Sequence, residues 1–261
     1  MGPTIHTITA ADGVTIAYER SGSGPALVIV NGALSTKATG GPLAPLLDAH
    51  FTLYRYDRRG RGDSSDAGAS TPQDELQDLA AIAAATGEPP FVFGQSSGAA
   101  LALEAAASGV HLRSLVVHEP PYVPGPATTA ENASELAGLA ADGRRDEAVE
   151  RFMQGSGVPD AMIEQTKASP VWPSLLALAH TLAYDVRLLN EGVVPAERFG
   201  AITCPVLATA GSLSPPWAAA SVSAIAEAVP DGEWRELEGQ AHNLAPDVLA
   251  GVLRERFLHA A

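Results

Sequence analysis

The run Gly94-Gln95-Ser96-Ser97-Gly98 has the form G-x-S-x-G. Apolar Phe91-Val92-Phe93 precedes it and Ala99-Ala100-Leu101-Ala102-Leu103 follows, so the motif falls where a predicted strand turns into a predicted helix. A turn this tight needs its flanking glycines, and it holds the central serine in a strained conformation with the hydroxyl pointing off the sheet edge. The Ser97 amide opens the helix and is placed to stabilise an oxyanion. A serine hydroxyl is a weak nucleophile alone. A histidine must accept its proton, and a carboxylate must orient that histidine and stabilise the imidazolium. The motif thus predicts acyl transfer and requires a base and an acid from elsewhere in the chain.

The elements that would position Ser96 follow from hydrophobic patterning. Thr4 to Ser21 alternates apolar and polar residues around Asp12-Gly13, which reads as an opening hairpin. The continuous apolar run from Ala26 to Val30 reads as a strand buried on both faces, and Phe51–Tyr56, Pro90–Phe93, Ser114–Val117, Pro205–Ala210 and Trp234–Leu237 repeat the pattern. Helices are expected from Thr71, with proline and acids in its first turn, to Ala85. Others are expected over Gly98–Gly109, Pro216–Val229 and Ala245–Leu258. Strands alternating with helices predict an α/β fold with a mostly parallel sheet covered on both faces. The rhythm breaks between Pro120 and Gly200, where prolines lead into helical patterns without a strand. Residues 1–120 and 201–261 are therefore expected to form the core, and 121–200 a helical lid inserted into it.

Composition narrows the function classes. Hydrophobic residues make up 46% and charged ones 18% of 261, as a globular chain requires. The net charge of −14 opposes a nucleic-acid backbone. One cysteine, Cys204, allows no internal disulfide, and no His/Cys cluster has zinc spacing, so neither metal nor cofactor is expected. No signal-like N-terminus or membrane-length apolar run is present, which predicts a cytoplasmic protein without membrane partners.

With these motifs in place, the chain resembles the α/β-hydrolase fold family over nearly its whole length, and the resemblance implies an eight-stranded sheet. Val30-Asn31-Gly32-Ala33 stands where the family usually has a His-Gly pair, which implies Ala33 as the second oxyanion amide beside Ser97. Tyr56-Asp57-Arg58-Arg59-Gly60-Arg61-Gly62-Asp63-Ser64 looks like the family's structural D-x-R-G-x-G-x-S turn, with Asp57 and Asp63 expected to satisfy loop amides and pair with the neighbouring arginines. His242, after the last strand, matches the family's catalytic histidine. His118 is the rival base but falls too early in chain order for the pattern.

The acid departs from the family pattern. No Asp or Glu occurs between Glu197 and Glu227, and Ser214 occupies the expected slot. His118-Glu119-Pro120-Pro121 closes the preceding strand, and a carboxylate at that tip is placed to serve the same histidine. The fungal zearalenone lactonases share S-S-G-A at the nucleophile, H-E-x-P after the next strand and no acid in the later loop, which implies a Ser96-Glu119-His242 triad. Asn31 and Gln95 differ from that branch.

The resemblance implies a cofactor-free serine hydrolase cleaving an ester or lactone of a small, largely apolar molecule. Leu34, Tyr122, Met153, Trp172, Tyr184 and Trp217 would line its lid-covered pocket. Carbon-carbon hydrolysis of a polyketide-like or β-diketone substrate, and a non-catalytic binding protein on the same fold, are the alternatives. The sequence leaves monomer and homodimer open.

Overall fold

A computed structural model describes residues 4–259. The opening hairpin is β1 (Ile5–Thr9) and β2 (Thr15–Gly22). Its turn is held by Asp12, whose carboxylate accepts from the Val14 amide at 3.1 Å, and by Gly13 at φ 88°. There follow β3 (Ala26–Val30), α1 (Ala44–Leu47), β4 (Thr52–Tyr56), α2 (Pro72–Ala85), β5 (Phe91–Gln95), α3 (Ser97–Ala107) and β6 (Ser114–His118). Six helices come next: α4 (Ala130–Ala141), α5 (Arg145–Gly155), α6 (Asp160–Lys167), α7 (Trp172–Ala177), α8 (Leu182–Arg187) and α9 (Ala196–Phe199). The chain then returns to the sheet with β7 (Val206–Gly211), α10 (Pro216–Ala228), β8 (Gly232–Leu237) and α11 (Pro246–His259).

The eight strands form one sheet in the order β1-β2-β4-β3-β5-β6-β7-β8. β1/β2 and β2/β4 are antiparallel, and every later pair is parallel. This is the α/β-hydrolase fold. Its central strands are buried, save Gln95 at the tip of β5, because helices cover both faces. Leu27, Ile29, Phe93, Val116 and Leu207 point to the side of α1 and α11, where Leu47, Leu253 and Phe257 pack. Val28, Val30, Val92, Val117 and Ala208 point to the side of α2, α3 and α10. The start of α2 is a capping box: the Thr71 hydroxyl accepts from the Asp74 amide, and the Asp74 carboxylate accepts from the Thr71 amide.

The helices between β6 and β7 have an apolar cluster of their own, including Leu136, Val149, Trp172, Leu182 and Val186. Ala33 and Leu34, in the loop after β3, pack against it. The short helical turns from Lys37 to Leu47 carry no sequence signal strong enough to predict them. Among the described residues, no helix is long and apolar enough to cross a membrane.

Candidate active site

The C-terminal tips of five adjacent parallel strands bring the site together, where ligands meet open α/β sheets. Ala33 follows β3, Ser96 follows β5, Glu119 follows β6, Ser214 follows β7 and His242 follows β8. Three of these loops are strained. Leu34, Ser96 and Glu119 have φ of 54°, 56° and 46°, a region L-residues rarely adopt. The Ser96 turn is possible because its neighbours lack side chains. A Cβ on Gly98 would lie 2.3 Å from the Val30 carbonyl oxygen, and one on Gly94 would lie 2.7 Å from Ala99 Cα. The Ser96 amide donates to the His118 carbonyl at 2.9 Å, so the elbow is tied to β6, the strand that leads into Glu119.

Glu119 is fully buried and uses both oxygens. Oε1 accepts from the Gly211 amide at 2.8 Å, and Oε2 lies 2.8 Å from His242 Nδ1. Burial alone would raise the Glu119 pKa, but the bond to His242, the nearby Ser214 hydroxyl and the Gly211 amide outweigh it and bring it down to about 2. Ser214 Oγ, itself buried, acts through proximity, since its geometry falls short of a hydrogen bond. An ionised Glu119 can only accept, so His242 carries its proton on Nδ1 and leaves the Nε2 lone pair free. The ring is partly open to solvent. Among the described residues, Ser96 Oγ makes no hydrogen bond. Catalytic hydrogen bonds commonly tighten only when substrate binds.

Two side chains clamp the peptides on either side of His242. Gln95 Nε2 donates to the His242 carbonyl at 2.7 Å. His118 Nε2 lies 3.2 Å from the Ala241 carbonyl, and its Nδ1 lies 3.0 Å from Thr209 Oγ1. Burial lowers the His118 pKa to about 4, so the ring is neutral near pH 7. A carbonyl cannot donate, so the proton sits on Nε2, and the Thr209 hydroxyl shares its one proton between His118 Nδ1 and the Val117 carbonyl at 3.1 Å. His118 therefore holds the loop that carries His242, and its fully buried ring is committed to that task. Sequence reasoning placed His118 as a rival base and gave Gln95 no role; the two are direct partners at the C-terminal end of the β5/β6 pair, which the sequence alone does not reveal.

Ala33 and Ser97 flank the elbow, and among the described residues neither amide donates to another backbone group. Gly32 brings its loop against Ser96: a Cβ there would lie 2.9 Å from Ser96 Cβ. The arginine turn differs from expectation. Asp57 and Asp63 both pair with Lys37, at 2.7 and 2.5 Å, and not with the arginines. Asp57 also accepts from the Lys37 and Asp63 amides. Arg58 pairs with Glu75 and Asp185, Arg59 with Asp78 and Asp12, and Arg61 with Asp185. Local sequence favours near neighbours as partners, but the turn sends the arginines inward while Asp57 faces the amides of its own loop.

The six expected pocket residues divide between two places. Leu34, Met153, Trp172 and Tyr184 share the apolar cluster of the helical segment. Trp172 Nε1 donates to Asp146 and the Tyr184 hydroxyl to Asp66. Tyr122 belongs instead to the core on the α3 and α10 side of the sheet, edge-on to Phe199, with Trp217 packed against the same cluster. A cavity of about 490 Å³ opens beside the Ala33 loop and is lined by Leu34, Thr36, Gly60, Val171, Leu175 and Leu178. A groove of about 620 Å³ between α4 and α5 is lined by Glu135, Arg144, Glu147 and Arg151, which pair with one another, and touches neither Ser96 nor His242. Among the described residues, no cluster of His, Cys, Asp or Glu could hold a metal ion.

Comparison with known proteins agrees with this fold. N-formylmaleamate deformylase of Pseudomonas putida KT2440 is 39% identical over 129 residues, 46% of this chain and 47% of its own. Pimeloyl-[acyl-carrier protein] methyl ester esterase of Xylella fastidiosa is 40% identical over 100 residues, 38% of each chain. The chain thus spans less than half the length of these curated relatives. The crystal structure of an alpha/beta hydrolase from Sphaerobacter thermophilus is 45% identical, superposes with a TM-score of 0.90, and aligns over 97% of this chain and 100% of its own. The model of the alpha/beta hydrolase family matches residues 27–252, and the chain belongs to that family.

Proposed function

We propose that the protein is a cofactor-free serine hydrolase that cleaves a carboxylic ester or lactone of a small, largely apolar substrate. The observation that carries this reading is the buried, ionised Glu119 bonded to His242 Nδ1, with the strained Ser96 elbow on the neighbouring strand. His242 Nε2 takes the Ser96 proton as Oγ adds to the carbonyl carbon. The amides of Ala33 and Ser97 hold the oxyanion, and His242 then gives its proton to the leaving oxygen. Water, deprotonated by the same nitrogen, adds to the acyl carbon, and His242 returns the proton to Ser96 Oγ as the acid leaves. Glu119 stays ionised throughout and balances the imidazolium. The helical segment of residues 121–200 serves as a lid, and its apolar cluster, against which Ala33 and Leu34 pack, supports a preference for apolar groups.

The resemblance to the zearalenone lactonases is confined to the S-S-G-A and H-E-x-P motifs and the absence of an acid in the later loop, and supports the triad more than the substrate. The deformylase relative supports a second reading, cleavage of a formamide by the same groups. A panel of p-nitrophenyl esters, aromatic and macrocyclic lactones and N-formyl amides, assayed with wild type and Ser96→Ala, tests both. Ester or lactone turnover lost in Ser96→Ala is the expected outcome. Turnover confined to N-formyl amides favours the second reading, and undiminished activity in Ser96→Ala overturns the nucleophile.

A further inference from the structure

Asp185 lies on α8, 1% exposed, and its carboxylate is the meeting point of three groups from distant parts of the chain. Arg61 binds it through Nη2 at 2.9 and 2.8 Å, Arg58 Nη1 donates at 2.8 Å, and the Ser97 hydroxyl donates at 2.7 Å. Arg58 is in turn held by Glu75 at 2.6 and 2.7 Å. A buried ionic cluster of this kind is a poor source of stability, because well-packed apolar residues commonly do as well. Its geometry indicates another use.

Arg61 reaches past Asp185 and donates through Nη1 to the Gly32 carbonyl at 2.7 Å. That carbonyl and the Ala33 N–H belong to the same planar peptide and point in opposite directions. A guanidinium fixed on the carbonyl therefore sets the direction of the Ala33 N–H and polarises it as a donor. On the other side of the nucleophile, the Ser97 hydroxyl bond fixes the first residue of α3, whose amide is the second donor.

We propose that Asp185 is a positioning residue for the oxyanion hole: one carboxylate, supplied by the helical segment, aligns the Ala33 amide through Arg61 and the Ser97 amide through the Ser97 hydroxyl. The proposal rests on the reading of Ala33 and Ser97 as the oxyanion donors. Asp185 touches neither the substrate nor Ser96. Burial opposes its ionisation, but the charges of Arg61 and Arg58 and the Ser97 hydroxyl outweigh that and keep the carboxyl below its ordinary pKa, as a cluster of two cations requires. Distance in sequence does not weaken the link, because Asp185 and Arg58 are 127 residues apart and in direct contact.

The test compares hydrolysis of an ester and its thionoester, which differ only in the atom that enters the oxyanion hole. Sulfur accepts hydrogen bonds weakly, so an aligned pair of donors favours the ester. Wild type, Asp185→Asn and Ser97→Ala are assayed with both substrates, with circular dichroism and thermal melts to identify folded variants. Asp185→Asn leaves two guanidinium groups short of charge and can fail to fold; Ser97→Ala removes only one tether and then carries the test alone. The expected result is an ester kcat lowered roughly tenfold or more in Ser97→Ala, since small misplacements of catalytic groups cost one to two orders of magnitude. The ester-to-thionoester ratio should fall severalfold, with KM and the pH profile of kcat/KM unchanged. Equal losses on both substrates, or no loss, in a folded variant overturns the proposal. A wild type that shows no preference for the ester overturns the oxyanion reading, and the proposal with it.

Discussion

At the scale of single residues, the site separates the groups that would react from those that hold them. Glu119 is buried and ionised, and Glu119→Gln keeps its shape while removing the charge that would balance an imidazolium under the proposed mechanism. The expected loss in kcat is about 10³- to 10⁴-fold with little change in KM, measured with the best ester of the panel. A fully active Glu119→Gln would show that the acid lies elsewhere. His118 makes a different prediction. Its pKa in the fold is about 4 against an ordinary 6.5, so between those values the unfolded chain takes up a proton that the folded chain refuses. Its contribution is fully present above pH 6.5 and declines as pH falls toward 4, by about 3 kcal/mol across the window. His118→Gln should remove that part of the slope when urea unfolding is followed from pH 7 to pH 5. A variant with an unchanged slope would mean that His118 titrates normally in the folded protein.

Among the elements, α3 makes the sharpest demand on sequence, because Gly98 has no room for a methyl group against the Val30 and Asn31 carbonyls. Gly98→Ala should therefore destabilise by about 3 kcal/mol, the upper end for overpacking. Gly138 in α4 has nothing within 4 Å of a built Cβ and helical backbone, so Gly138→Ala should stabilise by about 0.5–1 kcal/mol. Urea denaturation distinguishes the two signs. The same contrast explains what could be read in advance. The central strands were legible because strands buried on both faces leave unbroken apolar runs, as in Ala26 to Val30. Ser96 and Glu119 were legible because each sits directly at a strand tip in a recognisable motif. The arginine pairings were not, since partners of buried charges are chosen by the fold: Arg58 passes over Asp57 beside it to reach Glu75 and Asp185. The one trace of Asp185 in the sequence is a lone acid within the apolar run Leu182-Ala183-Tyr184-Asp185-Val186. Tyr122 was misplaced for a similar reason. Its aromatic ring fits a pocket or a core equally well, and only the position of Phe199 decides.

For the whole molecule, the net charge of −14 becomes a statement about substrates once the cations near the site are accounted for. Lys37 is paired with Asp57 and Asp63, Arg58 with Glu75 and Asp185, and Arg61 with Asp185, so none is left to offset the surrounding field locally. The field of the whole chain then acts on any charged substrate that approaches. An anionic ester, such as a dicarboxylic half-ester, is disfavoured at low ionic strength, and salt should relieve the repulsion. The screening length shrinks from about 30 Å at 0.01 M to about 8 Å at 0.15 M, which is shorter than the span of the domain. Raising NaCl across that range should increase kcat/KM for the half-ester severalfold and leave its neutral methyl diester unchanged. A quaternary ammonium ester of similar size should show the opposite trend. If the half-ester instead loses activity with added salt, a local cation must be attracting it, and Arg58 or Arg61 would have to leave its carboxylate partners to bind substrate.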